Sequence, residues 1–107
     1  MDNFIIFSTI DDKEKGKEIG KRLVEQKLAA CVNIIPSVES IYVWENKTVL
    51  DNENLLLIKV SSNCLEKTIN RIKELHPYEI PEIIAVKIEM GNKEYLNWIE
   101  KGCGGNK

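Results

Sequence analysis

A chain of 107 residues with 15 basic and 17 acidic side chains, net charge -2, is one domain with a single core and has no basic block built for a nucleic-acid partner. Its 43% apolar and 30% charged residues exclude a disordered tract, and no apolar run reaches the roughly 18 residues that a membrane span needs. Three widely spaced cysteines, at positions 31, 64 and 103, exclude a disulfide framework or a CxxC site; with an N-terminus lacking a basic region and cleavage site, they point to the cytoplasm.

Phe4 to Phe7 is apolar on both faces of a strand, as a central strand requires, and ends at Ser8 and Thr9. Asp11 and Asp12 supply the cap and first-turn charge of a helix running to about Lys27, with Ile19, Leu23 and Val24 on its buried side. Gly16 and Gly20 each cost about 1 kcal/mol of helix propensity relative to alanine, so a close approach of this helix to the sheet is expected. The second strand starts near Leu28 and meets Pro36 and Ser37, where the missing ladder donor predicts a bulge or an edge. Cys31 within it reads as a small packed hydrophobe. Pairing resumes from Val38 to Trp44, turns through Glu45, Asn46 and Lys47, and returns from Thr48 to Ser61.

Asn63 with Glu66 reads as a capping pair, Cys64 as a surface thiol, and Leu65, Ile69, Ile72 and His76 recur at helical spacing up to Pro77. Ile83 to Ile88 is the next strand. Asn92 caps a terminal helix carrying Tyr95, Leu96, Trp98 and Ile99, which Gly102 ends; residues 102–107 read as a flexible tail. The order is βαββαβ plus a C-terminal helix, an α+β ferredoxin-like sandwich of antiparallel strands in one domain spanning 1–107.

The hairpin of the second and third strands is too long for this domain. Its return strand, extended, spans on the order of 45 Å, against a radius of gyration of about 13 Å for a chain this size. The far end is apolar on both faces, with Ile41 and Val43 on one and Tyr42 and Trp44 on the other. Such an arm is expected to be covered by neighbours in a closed cyclic homo-oligomer.

The chemistry concentrates at His76-Pro77-Tyr78-Glu79-Ile80-Pro81, where two prolines fix the backbone around the only histidine, a phenol and a carboxylate. The residues alone leave two readings open: a histidine satisfying carbonyls at a helix end, or one donor of a metal site completed by Cys31, a carboxylate or water from elsewhere. The first strand-to-helix loop, Ser8-Thr9-Ile10-Asp11-Asp12, lacks both the thiolate pair of a copper chaperone and the arginine of an acylphosphatase-like site. No Walker loop, GxSxG, HExxH or dinucleotide glycine pattern occurs, and no paired base and nucleophile can be named for an enzyme.

The segments Lys27-Leu28-Ala29-Ala30-Cys31-Val32-Asn33, Tyr42-Val43-Trp44-Glu45-Asn46-Lys47, Glu74 through Ile84, and Glu94-Tyr95-Leu96-Asn97-Trp98-Ile99 together resemble the CutA divalent-cation-tolerance family. The resemblance implies a very stable trimer of ferredoxin-like subunits, similar in architecture to PII signalling proteins, with a cleft between subunits and a link to copper and other divalent ions; the expected role is binding and not catalysis. It implies Cys31 and His76 as metal-ligand candidates and Asn33, Trp44, Glu45, Lys59 and Tyr78 as cleft residues. Any metal is expected to bind weakly and not to be required for folding. Ser8 stands where some members carry a first-strand cysteine, and a hydroxyl is a poor ligand for soft copper. The alternative is a PII-like signalling trimer taking a small anion in that cleft, with Lys59 as countercharge.

Overall fold

The computed structural model describes residues 1–104, and its elements are β1 (Asn3–Ile10), α1 (Lys13–Glu25), β2 (Cys31–Trp44), β3 (Lys47–Ser61), α2 (Leu65–Leu75), β4 (Ile84–Lys87) and α3 (Lys93–Gly102). The four strands form one antiparallel sheet in the order β2-β3-β1-β4. This is the expected ferredoxin-like arrangement, with β1 central. None of the described helices is long and apolar enough to cross a membrane.

Alternation along the central strands sorts the side chains onto two faces. Ile6 and Ile10 of β1 and Leu56, Ile58 and Val60 of β3 are fully buried, and they share one core with Ile19 and Leu23 of α1 and Ile72 of α2. Asp12 caps α1 as expected, its carboxylate accepting from the amides of Glu14 and Lys15. Both α1 glycines let the helix sit low on the sheet: a Cβ at Gly16 would stand 3.1 Å from Ile10 Cγ2, and one at Gly20 would stand 3.2 Å from Val32 Cγ1. Val24 lies outside that contact and is 41% exposed.

Pro36 and Ser37 form the bulge, where the β2-β3 register shifts between Ile35 and Val38 and Ser37 takes a φ of 63°. Beyond it the strands pair to the tip, Trp44 facing Lys47 across the two-residue turn Glu45-Asn46 with φ of 51° and 65°. Two successive positive φ values are those of a type I′ turn, whose twist matches the strands. The arm gives the molecule a long axis of 45 Å against 26 and 21 Å.

Besides Val24, and Cys31, which is partly exposed and not a packed hydrophobe, four expectations are corrected. β2 begins at Cys31, because Leu28 and Ala29 both donate to the Leu23 carbonyl in the turn that closes α1. Asn63 and Glu66 make no capping pair: the N-cap is Cys64, without a side-chain cap, and Asn63 Oδ1 instead accepts from the Ser61 hydroxyl. Cys64 is buried, not a surface thiol. The tail is docked as far as Gly104, since Cys103 is buried and the Gly104 amide donates to the Lys27 carbonyl at 2.7 Å; positions 105–107 lie outside the described residues.

Ser8 points into the core with its hydroxyl fully enclosed and without a hydrogen-bond partner among the described residues. A buried unpaired hydroxyl costs on the order of 1 to 3 kcal/mol. Ser8→Ala is therefore expected to stabilise the fold by about 1 kcal/mol in guanidinium unfolding, and a destabilised variant would show that the hydroxyl is satisfied in solution.

Candidate functional site

The residues singled out in the sequence fall into three places. At the first, α2 ends on His76, whose backbone turns extended before Pro77 (φ -77°, ψ 135°) while its amide still donates to the Ile72 carbonyl. The imidazole is buried and lies 2.8 Å from the Thr9 carbonyl through Nε2. A carbonyl only accepts, so Nε2 carries the proton and Nδ1 is the acceptor, and Nδ1 takes the Tyr78 amide at 3.1 Å. Both nitrogens are used, Nε2 in joining the end of α2 to the end of β1 and Nδ1 in holding the turn at Tyr78. A metal on this ring has to displace the Tyr78 amide.

Tyr78 continues the corner. Its ring meets His76 edge-on at 4.5 Å, and its hydroxyl donates to Glu53 Oε2 at 2.7 Å at the base of the arm. Glu53 is 8% exposed, and no sequence signal marks it, because its hydrogen-bond partner is a tyrosine 25 residues away. The Tyr78 phenol is held well above its ordinary range, first by desolvation, then by its hydrogen bond to Glu53, then by the charges of Glu53 and Asp11. A folded-state pKa raised above the unfolded value near 10 contributes stability that is fully present below about pH 10 and is lost as pH rises beyond it. Unfolding midpoints measured from pH 9 to 11.5 are expected to fall above pH 10, and to fall less in Tyr78→Phe. Parallel profiles would contradict the assignment.

The second place is the other face of the sheet. Cys31 pairs with Lys59, and Asn33 with Leu57; Cys31 and Asn33, two apart, point the same way, with the thiol 3.8 Å from Asn33 Oδ1. Lys59 Nζ donates to the Tyr95 hydroxyl at 3.1 Å and lies 5.3 Å from that ring's centroid. Tyr95 in turn stacks on Trp98 at 5.4 Å, with 25° between the rings. Helical periodicity alone marks these two aromatics only as helix residues; their spacing three apart beside a lysine on a facing strand is the signal that finds them. Beyond α3 the face carries Ile35, Ile84 and Val86, each about half exposed.

The third place is the tip of the arm, with Trp44 64% exposed and Glu45 in the turn. The structure thus joins His76 to Tyr78 and Cys31 to Asn33 and Lys59, and sets Trp44 and Glu45 apart from both. His76 meets β1 at Thr9, which pairs with Leu55, whereas Cys31 pairs with Lys59. Four residues of β3 separate these points, about 13 Å at the rise of a strand. Among the described residues no group of three or more histidine, cysteine, aspartate or glutamate side chains is placed to hold a metal ion.

A small antiparallel α+β sandwich with helices closing one face, the other face half open and one hairpin reaching past the core defines the class structurally. The chain belongs to the CutA1 divalent ion tolerance protein family, whose model matches residues 4–102. It is 45% identical over 100 residues to the divalent-cation tolerance protein CutA of Thermus thermophilus, covering 94% of this chain and 97% of that one. The solved structure of a Thermus thermophilus divalent cation tolerance protein superposes with a TM-score of 0.91 at 44% identity, covering 95% of this chain and 99% of that one. Rice CutA 1, named as chloroplastic, is 41% identical over 92% of this chain, and a rice CutA1 crystal structure gives a TM-score of 0.92 at 39% identity, with 96% and 94% of the two chains covered. This chain spans nearly all of the Thermus protein but 55% of the rice one.

Proposed function

We propose that this protein is a cytoplasmic homotrimer that binds copper or other divalent cations weakly and contributes to tolerance of them, as a binding protein and not an enzyme. The observation that carries the reading is apolar surface without cover: Ile41, Val43 and Trp44 on the arm are 64 to 70% exposed, and the open sheet face adds Ile35, Ile84 and Val86. Monomers rarely leave so many large apolar side chains in water, and a reaching arm with a flat face suits head-to-tail closure into a ring. Membership of a divalent ion tolerance family supports the ligand class. The odd, widely spaced cysteine set supports the compartment.

Donors dispersed within one subunit favour a metal site at subunit boundaries, and Cys31 is its strongest soft donor, being partly exposed where Cys64 and Cys103 are buried. Anaerobic calorimetric titration with Zn(II) and Cu(I) tests this. Cys31→Ser is expected to weaken binding tenfold or more, about 1.4 kcal/mol, while His76→Gln, which keeps a donor and an acceptor in the corner, leaves the isotherm unchanged. Identical isotherms for wild type and Cys31→Ser remove the thiol from the account. A second reading, a PII-like trimer taking a small anion in its inter-subunit cleft, is supported by the Lys59 ammonium held at Tyr95 beside Cys31 and Asn33. Titration with small carboxylates and phosphates separates the two readings, since only the second needs Lys59.

A further inference from the structure

Two of the three thiols lie where the chain wraps around the end of the sheet. α3 packs on the open face through Tyr95 and Lys59, yet Cys103, immediately after it, is 4% exposed and belongs to the core on the opposite side, with Ile72 and Leu23. Cys64, the N-cap of α2, is 2% exposed in the same core. One carbonyl holds both segments: Lys27 O accepts the Gly104 amide at 2.7 Å and the Cys64 thiol at 3.7 Å. A Cβ at residue 104 would stand 3.2 Å from Cys64 Sγ, so the residue next to Cys103 lies beside the other sulfur.

We propose that Cys64 and Cys103 are a redox modification site that closes to an intramolecular disulfide under peroxide. Two S–H bonds break and one S–S bond forms; two electrons and two protons pass to hydrogen peroxide, which leaves as two water molecules. Cys103 has already left the helix in extended backbone (φ -115°, ψ 139°), and the next residue is a glycine at φ 70°. Bringing the sulfurs together therefore turns only the last residues of α3 and leaves the sheet in place. Burial shields both thiols from the oxidant, so the rate follows opening of the terminal turn. The bridge ties the end of α3 to the start of α2 and closes a loop containing β4, restricting the unfolded chain. Cys31 lies on the other face of the sheet, paired with Lys59, and takes no part.

The test uses the full chain carrying Cys31→Ser, reduced and then treated with hydrogen peroxide. It is next denatured in excess iodoacetamide, digested and analysed by mass spectrometry. The expected product is one peptide pair joining positions 64 and 103, two hydrogens lighter than the separate peptides and restored by dithiothreitol. The guanidinium midpoint of the oxidised protein is expected to rise and to return on reduction. Cys103→Ser and Cys64→Ser, each checked for a reduced-state midpoint like that of the parent, are expected to abolish both the link and the rise. Complete alkylation of both cysteines after oxidation, sulfinic acid at one of them alone, or a link only between subunits overturns the proposal. The joined peptide pair and its mass depend on neither a metal nor the assembly, so that outcome is independent of the function proposed above, and the midpoints are compared at one protein concentration.

Discussion

His76→Ala is expected to lower stability by roughly 2 to 4 kcal/mol without altering the apolar face or the arm. The imidazole is 6% exposed, and its removal leaves a cavity and strands two backbone groups, the Thr9 carbonyl and the Tyr78 amide. An unsatisfied buried group costs about 1 to 3 kcal/mol, and lost packing adds to it. His76→Gln can still donate to one partner and accept from the other, and is expected to recover about half the loss. Guanidinium unfolding of the three proteins at one protein concentration measures both effects. If His76→Ala costs less than 1 kcal/mol, the corner is not structural and the ring is available as a metal ligand, the opposite assignment.

That choice explains what the sequence could and could not show. The features that were legible are those whose partners lie close in the chain or follow a period. Asp12 caps its own helix, Pro36 bulges its own strand, and Gly16 and Gly20 mark the side of α1 that touches the sheet. The two-residue turn at Glu45-Asn46 belongs to the same kind. His76 was legible as a residue of interest but not in its role, because the atom that decides the role is the Thr9 carbonyl, 67 positions earlier. The burial of Cys64 and Cys103 is not legible for the same reason: it accompanies a C-terminal segment that crosses the end of the sheet and binds Lys27 O, which no local periodicity encodes. Glu53 is buried with its carboxylate accepting from the Tyr78 hydroxyl, whereas a glutamate within a strand otherwise reads as solvent-facing.

Ile41→Asp combined with Val43→Asp is expected to convert the homotrimer proposed above to a monomer that remains folded. Both side chains stand on one face of the arm, 70% and 67% exposed, and Ile41 pairs with Leu50, itself 61% exposed. Their contribution to the subunit's own core is therefore small, and aspartate at these positions removes little from it. Buried against a neighbour, each contributes about 1.5 to 3 kcal/mol, and placing a carboxylate there adds a desolvation cost. The pair is expected to weaken each interface by at least 3 kcal/mol, a loss of more than 100-fold in association. Light scattering at micromolar concentration reads the mass, and circular dichroism checks that the fold persists. A trimer that survives both aspartates places the arm outside the interface, and a monomeric wild type removes the assembly altogether. The outcome bears directly on the site. Trp44 and Glu45 lie at the end of this arm, away from the His76 corner and from the Lys59 face of their own subunit. Only contact with another copy can bring them to either, so a cleft containing these residues exists only if the arm docks.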